Sequence, residues 1–151
     1  NLGLVYGGGN IGLMGVVADA ALNHGAKVVG VIPAALEEKE LGHQELQELV
    51  VVDDMHGRKA IMAQRADAFV ALPGGFGTLE ELFEIVAWSQ LGFHEKPIAL
   101  LNTAGYFDHL LQFLDHVQQE GFLKPAHRQM LSVATEAESL LDGLLERLPR
   151  S

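Results

Sequence analysis

Short apolar runs separated by helical segments constrain the fold of this chain more than any other feature. The runs KVVGVIP (27–33), DAFVALP (67–73) and KPIALLN (96–102) are continuous rather than alternating, which is typical of strands covered on both faces. Further strands are predicted at 1–6 and 130–134, and helices at 16–25, 55–66, 77–92, 105–121 and 135–147. This alternation predicts a doubly wound, Rossmann-like α/β fold, in which helices flank a parallel sheet in a single domain over residues 1–151.

Two segments between these elements carry further expectations. Residues 34–50 combine mixed charges with no clear period, and we interpret them as an extended connection with one short turn. The helix at 105–121 is amphipathic, and its predicted apolar stripe consists of Phe107, Leu110, Leu111, Leu114 and Val117.

Composition excludes several classes of function. Twenty acidic residues against ten Lys and Arg give a formal charge of −10, which disfavours binding to nucleic acids and to anionic membranes. The absence of cysteine excludes disulfides and thiolate nucleophiles. No apolar run approaches the ~20 residues that span a bilayer. We therefore expect a cytoplasmic protein with neither a nucleic-acid partner nor a membrane partner.

The first glycine cluster, GGGNIGLMG (7–15), formally satisfies the dinucleotide-binding pattern G-x-G-x-x-G. That pattern normally has an acidic residue at the end of the next strand to bind the ribose. Here the strand ends in Ile-Pro-Ala, and the nearest acids are Glu37 and Glu38. NAD is therefore disfavoured, and tight packing of the strand-to-helix turn explains the glycines better than NAD binding does.

The second cluster, PGGFGTLEE (73–81), combines several features of a phosphate-binding loop. Glycines permit close approach of a ligand, the amides at a helix start lack partners, and Thr78 adds a hydroxyl. The Walker spacing and its lysine are missing, so the loop is not that of an NTP-hydrolysing enzyme. We interpret Glu80 as a first-turn acid that stabilises the helix dipole.

A helical wheel distinguishes Glu81 from its neighbour. The wheel predicts a sheet-facing stripe of Leu79, Leu82, Phe83 and Val86. Glu81 falls outside that stripe, on the side of the helix that carries Ile85 and Trp88. A carboxylate beside these apolar residues is expected to line a pocket or a subunit contact.

Cations are supplied by the segment MHGRKAIMAQR (55–65). Arg58 is a candidate for bidentate contact with a phosphate, whereas Arg65 is expected to be a solvated surface residue. The seven histidines form neither H-x-x-x-H nor H-E-x-x-H, so no metal is expected. A G-x-S-x-G elbow is also missing, which disfavours a Ser-His-Asp hydrolase.

These motifs together resemble the LOG ("lonely guy") family of cytokinin riboside 5'-monophosphate phosphoribohydrolases. The shared pattern is M-x-x-R-K (55–59) followed by P-G-G-x-G-T-x-x-E (73–81), and VYGGGNIGLMG, GVIP, KEL and EGFL also fit. Family members begin with an additional strand and helix. We therefore expect that this chain starts at the family's second strand and that the N-terminal strand-helix unit is absent from it.

The resemblance implies hydrolysis of the N-glycosidic bond of N6-substituted adenosine 5'-monophosphates, with AMP as a substrate of some bacterial relatives. It implies a homodimer without a metal or cofactor, and it makes Arg58 and Glu81 the catalytic pair. It assigns substrate binding to Glu40, Lys59, Gly75, Phe76, Gly77, Thr78, Glu80, Gly8, Gly9 and Met14.

Two alternatives stay open beside this hypothesis. One is a nucleotide or molybdenum-cofactor carrier of similar fold, which would not need the pair Arg58 and Glu81. The other is a lysine decarboxylase, which needs a lysine that binds pyridoxal phosphate. None of the five lysines lies in a recognisable cofactor context.

Overall fold

A computed structural model describes residues 2–37, 43 and 46–148. The described chain consists of parallel strands that alternate with helices, which confirms the predicted Rossmann-like α/β architecture. It divides into two compact units, Asn1–Ala66 and Asp67–Ser151. The expectation of a single domain over 1–151 stays a prediction.

The first unit is built on three parallel strands. They are β1 (Leu4–Tyr6), β2 (Val28–Pro33) and β3 (Glu48–Val52), with β2 in the centre. The helices are α1 (Leu13–Asn23), α2 (Ala34–Glu37) and α3 (Met55–Arg65). Every residue of β2 is buried, as its uninterrupted apolar run predicts. The buried side chains of Tyr6, Ala18 and Val28 form the core between the sheet and α1.

The second unit repeats this arrangement around another central strand. Its strands are β4 (Phe69–Ala71), β5 (Ile98–Leu101) and β6 (Leu131–Ala134), with β5 in the centre. Its helices are α4 (Phe76–Gln90), α5 (Asp108–Gln119), α6 (Pro125–Arg128) and α7 (Ala137–Arg147), and a 3-10 turn spans Thr103–Gly105.

Helices cover both faces of β5. Ile98 and Leu100 pack into a cluster with Leu82 of α4 and with Phe107. Three leucines of the predicted α5 stripe also pack against this cluster: Leu110, Leu111 and Leu114. Ala99, between them in sequence, faces Leu140 and Leu144 of α7. Since successive residues of a strand point to opposite faces, a strand with helices on both sides has to be apolar throughout.

The predicted connection at 34–50 is only partly correct. The short turn is present as α2, but β3 begins at Glu48 within the supposed connection, and this strand was not predicted. Glu48 starts the strand with a charge because its carboxylate pairs with Lys27 and Arg65. The helix α6 was not predicted either.

None of the described helices is long and apolar enough to cross a bilayer.

Candidate functional site

The glycine turn after β1 is buried and packs closely on β2. Gly8 has a φ of 76°, which favours glycine, and a Cβ at this position would lie 3.1 Å from Ile32 Cβ. A Cβ at Gly30 of β2 would lie 2.9 Å from Gly8 Cα. Backbone conformation and tight packing therefore explain the glycine at position 8 without a ligand. Gly9 is buried in the same turn.

Arg58 is a buried cation that lies against this turn. Asp54 caps α3 by accepting a hydrogen bond from Gly57 N–H at 2.7 Å, which places Arg58 in the first part of the helix. The Arg58 side chain is only 7% exposed, and a Cβ at Gly7 would lie 2.8 Å from its Cζ. Glycine at position 7 therefore makes room for the guanidinium at the carboxyl end of β1. Lys59, the next residue, is half-buried.

For two other residues with an expected role in substrate binding, Met14 and Glu40, the structure adds no support for that role. Met14 is half-buried and packs against the core of the first unit, so its position is accounted for by packing. Glu40 lies outside the described residues.

A buried polar cluster beside the glycine turn was not predicted from the sequence. His43 is 4% exposed; its Nε2 donates to Asp19 Oδ1 at 2.8 Å, and its backbone N–H donates to Gly8 O at 3.2 Å. The Tyr6 hydroxyl is buried and has no hydrogen-bond partner among the described residues. Burial, with a smaller contribution from the Asp19 carboxylate, raises the pKa of Tyr6 to about 12.

The PGG loop joins β4 to α4 in the second unit. The first intrahelical hydrogen bond runs from Leu79 N–H to Gly75 O at 3.1 Å. The four preceding amides, those of residues 75 to 78, therefore have no intrahelical acceptor. Phe76 is 94% exposed, and a Cβ added at Gly75 or Gly77 would meet no described atom within 4 Å.

The residue before these amides is held from two sides. A Cβ at Gly74 would lie 2.8 Å from Thr78 Cβ, so the Thr78 side chain folds back over a position that only glycine fits. The Tyr106 hydroxyl donates to Gly74 O at 2.8 Å. Tyr106 follows β5 and is 32 residues away along the chain, so no local sequence pattern indicated this contact.

The structure corrects three expectations about α4. The helix begins at Phe76 and has no acidic residue in its first turn, so the interpretation that Glu80 stabilises the dipole from that turn is wrong. Phe83, expected in the core stripe, is 41% exposed. Ile85 packs in the core beside Leu79, Leu82 and Val86.

The two glutamates of the loop differ in exposure. Glu80 is exposed, whereas Glu81 is half-buried. Both take part in interactions within the protein. Of the two carboxylates, Glu81 is therefore the less accessible to bulk water.

The parallel strands and their flanking helices define a Rossmann-like α/β protein. One glycine-rich turn lies beside the buried Arg58, and the other, the PGG loop, presents the amides of a helix start and is a candidate anion-binding loop. Residues 14–144 match the sequence model of a family described as "Possible lysine decarboxylase". The chain belongs to this family. Similar proteins are named cytokinin riboside 5'-monophosphate phosphoribohydrolases.

Three relatives illustrate the similarity, and each alignment covers nearly all of this chain. The probable cytokinin riboside 5'-monophosphate phosphoribohydrolase LOGL2 of Oryza sativa subsp. japonica is 49% identical over 99% of this chain and 62% of its own length. The phosphoribohydrolase LOG1 of Arabidopsis thaliana is 49% identical over 99% of this chain and 70% of its own length. The probable phosphoribohydrolase LOGL9 of Oryza sativa subsp. japonica is 53% identical over 97% of this chain and 64% of its own length. The chain thus spans about two thirds of the length of these relatives.

The buried Tyr6 hydroxyl predicts a specific dependence of stability on pH. Because the folded state raises the pKa of Tyr6 from 10.0 to about 12, the stabilisation due to the neutral phenol is complete below pH 10 and is lost as the pH rises to 12. Tyr6→Phe removes the titrating group. In urea unfolding at pH 8 to 12, the free energy of unfolding of the variant should increase relative to that of the parent only above pH 10. A difference between the two proteins that stays constant up to pH 12 would contradict this prediction.

Proposed function

We propose that this chain carries the catalytic machinery of a phosphoribohydrolase that cleaves the N-glycosidic bond of N6-substituted adenosine 5'-monophosphates, and of AMP. Water adds to C1' of the ribose as the bond from C1' to the purine nitrogen breaks. One proton of the water stays on the new C1' hydroxyl and the other goes to the purine. The products are the free base and ribose 5-phosphate. The proposal rests on the relatives' names together with the following features of the chain.

The observation that carries the proposal is the glycine pattern of the PGG loop. Glycine is required at position 74 for packing against Thr78, but neither Gly75 nor Gly77 has a described neighbour that a side chain would displace. The φ of Gly75, −96°, also lies outside the positive range that favours glycine. A ligand that approaches the backbone closely would explain both glycines, and four amides at a helix start favour an anion such as the 5'-phosphate.

Arg58 supplies electrostatic stabilisation in this proposal. A guanidinium stays protonated at neutral pH, so it does not act as a general acid. It would stabilise negative charge either on the phosphate or on the departing purine. Its burial beside Gly7 strengthens such an interaction, since water screens a buried charge less. Lys59 is proposed as an additional cation for substrate binding.

Glu81 is the proposed catalytic carboxylate. Cleavage of a ribosyl C–N bond builds positive charge on the sugar, as in glycoside hydrolysis. A fixed carboxylate would stabilise that charge or orient the attacking water. The half-buried position of Glu81 suits either task better than the exposed position of Glu80 does. Glu80, Gly8, Gly9, Met14 and Glu40 complete the proposed set of substrate-binding residues.

The family description raises lysine decarboxylation as another candidate activity. That reaction depends on a Schiff base between a lysine and pyridoxal phosphate. The only lysine of the family motif, Lys59, directly follows the buried Arg58 on α3 and takes part in interactions within the protein. The relatives that are 49% identical to this chain over the aligned residues are named as phosphoribohydrolases, and we favour that activity.

We also propose a cytoplasmic homodimer. The sequence predicts a subunit contact on the side of α4 that carries Ile85 and Trp88, but Ile85 packs in the core. Besides Phe76, large apolar residues of α4 and of the turn after it are exposed at Phe83, Leu91 and Phe93, with exposures of 41%, 66% and 74%. Large apolar residues exposed on a single chain are common in subunit contacts.

The central prediction concerns the reaction products. Incubation of the protein with N6-isopentenyladenosine 5'-monophosphate should release free base and ribose 5-phosphate in equal amounts, measured by liquid chromatography. Parallel reactions with AMP and with lysine compare the alternative activities. Nucleotide that stays intact at high enzyme concentration would contradict the proposed hydrolysis, and release of carbon dioxide from lysine would favour the decarboxylase.

A substitution at Glu81 separates catalysis from binding. Glu81→Gln keeps the size of the side chain and removes its charge, so kcat should fall about a hundredfold or more while nucleotide affinity changes little. Glu95→Gln, the same change at an exposed residue beyond α4, is the matched control and should retain parental kcat. Parental turnover by Glu81→Gln would contradict the catalytic assignment, and it would favour a role for the carboxylate in structure alone.

Light scattering at micromolar concentration tests the homodimer. The parent should have twice the mass of one chain, and Phe93→Glu should shift the protein to the monomer because it places a charge in the proposed contact. Leu145→Glu makes the same type of change at an exposed apolar residue of α7 and should leave the dimer intact. A monomeric parent would exclude this proposal.

A further inference from the structure

The hydrogen bond between Tyr106 and Gly74 connects the PGG loop to a distant turn of the second unit. The Tyr106 hydroxyl donates to Gly74 O at 2.8 Å, although the side chain is 54% exposed and therefore buries little apolar surface at this position. Its ring meets the Phe107 ring edge-on at a centroid distance of 5.0 Å. The exposure means that the contact contributes little to the core, so its main effect is on the loop.

The turn that carries Tyr106 is fixed by a buried asparagine. Asn102 is 6% exposed; its Oδ1 accepts from Phe107 N–H at 2.6 Å and its Nδ2 donates to Asp108 Oδ1 at 2.8 Å. Its backbone N–H donates to Ala134 O at 2.8 Å. Within the turn, Ala104 has a φ of 53°, a conformation that a non-glycine residue keeps only when its surroundings enforce it. Tyr106 is thus presented to the loop from a rigid support.

Fixing the Gly74 carbonyl also fixes the amide that follows it. The carbonyl of Gly74 and the N–H of Gly75 belong to one planar peptide unit, and in a trans peptide they point in opposite directions. All described peptide bonds are trans. When Tyr106 holds the carbonyl on one side of the loop, the Gly75 N–H is directed to the other side. Gly75 is the first of the four amides without an intrahelical acceptor.

The two glycines do not themselves fix the orientation of this peptide unit. Gly74 and Gly75 have no side chain to restrict rotation of the peptide unit between them, and glycine populates more backbone conformations than any other residue. Without an external contact, this peptide unit is the least restrained of the loop. The Thr78 side chain packs on Gly74 but makes no hydrogen bond to its carbonyl among those described, so the Tyr106 hydroxyl supplies the directional contact.

We propose that Tyr106 is a positioning residue that orients the Gly75 N–H for the phosphate of the ligand. This inference rests on the proposed function only in that the PGG loop receives a phosphate; it does not depend on cleavage of the glycosidic bond. The loop amides bind the phosphate, and Tyr106 acts on that binding through the Gly74–Gly75 peptide without touching the ligand.

The test measures ligand affinity and not only turnover. Tyr106→Phe removes one hydroxyl and leaves the ring, so the dissociation constant for ribose 5-phosphate should increase about threefold to tenfold, the effect of one net hydrogen bond. The affinity for free adenine, which lacks a phosphate, should stay at the parental value. In NMR spectra of protein labelled with ¹⁵N, ribose 5-phosphate should shift the Gly75 amide signal of the parent, and the shift should be reduced in the variant.

Thr103→Val is the matched control. It removes one hydroxyl from the same turn, where Thr103 Oγ1 donates to Thr135 O at 3.4 Å rather than to the loop. Its affinity for ribose 5-phosphate should equal that of the parent, and both variants should unfold within a few degrees of the parent because both side chains are exposed.

The outcomes separate this inference from the proposed function. Equal affinity of Tyr106→Phe and the parent for ribose 5-phosphate would overturn the inference even if the parent hydrolyses nucleotides. Equal losses of affinity for ribose 5-phosphate and adenine would overturn it too, because a general loosening of the protein would explain them. Weaker ribose 5-phosphate binding in the variant supports the inference even if the parent cleaves no nucleotide, in which case only the proposed hydrolysis fails.

Discussion

Burial of the two central strands, β2 and β5, is the constraint on which the rest of each unit depends. All of β2, and Ile98 to Leu100 of β5, are removed from water. A buried strand needs backbone partners along both edges, since unpaired amides and carbonyls are costly away from water. β1 and β3 provide these partners for β2, and β4 and β6 provide them for β5. Parallel pairing requires helical crossovers, and it places the glycine turn and the PGG loop at the carboxyl ends of strands beside the central ones.

The glycines at these strand ends fall into two physical groups that look alike in the sequence. In the first unit, Gly7 makes room for the Arg58 guanidinium and Gly8 packs against β2 with a positive φ, so the fold itself requires them. In the second unit, Gly75 and Gly77 face open space among the described residues and have neither a positive φ nor close packing. Glycine without a structural reason is the stronger indication of a ligand. The PGG loop is therefore better evidence for phosphate binding than the formal G-x-G-x-x-G pattern is.

The sequence predicted those parts of the structure that depend on local patterns. The uninterrupted runs at 27–33 and 96–102 correctly predicted strands covered on both faces. The same expectation for the run at 67–73 was wrong, because β4 is an edge strand of the second unit's sheet and Val70 is 41% exposed. β3 was missed because it starts with a charged residue whose partner, Arg65, is 17 residues away. The helical wheel misplaced Phe83 because it orders residues by angle and polarity and contains no information on where β5 lies. The contacts of Tyr106 with Gly74 and of His43 with Asp19 were equally inaccessible, since each joins residues more than 20 positions apart.

Because the chain is acidic, the PGG loop has to bind an anionic ligand through short-range contacts. A net charge of −10 repels a phosphate at long range, but salt screens that field over about 8 Å, so it affects the rate of approach more than the contact itself. At contact, backbone amides offer partial charges that act only over a short distance and in one direction. Their contribution therefore depends on orientation, whereas the contribution of a flexible lysine depends mainly on proximity. This difference explains why a loop with two adjacent glycines needs a hydrogen-bond donor on a rigid support. It also explains how an exposed tyrosine hydroxyl affects the binding of a ligand that it does not touch.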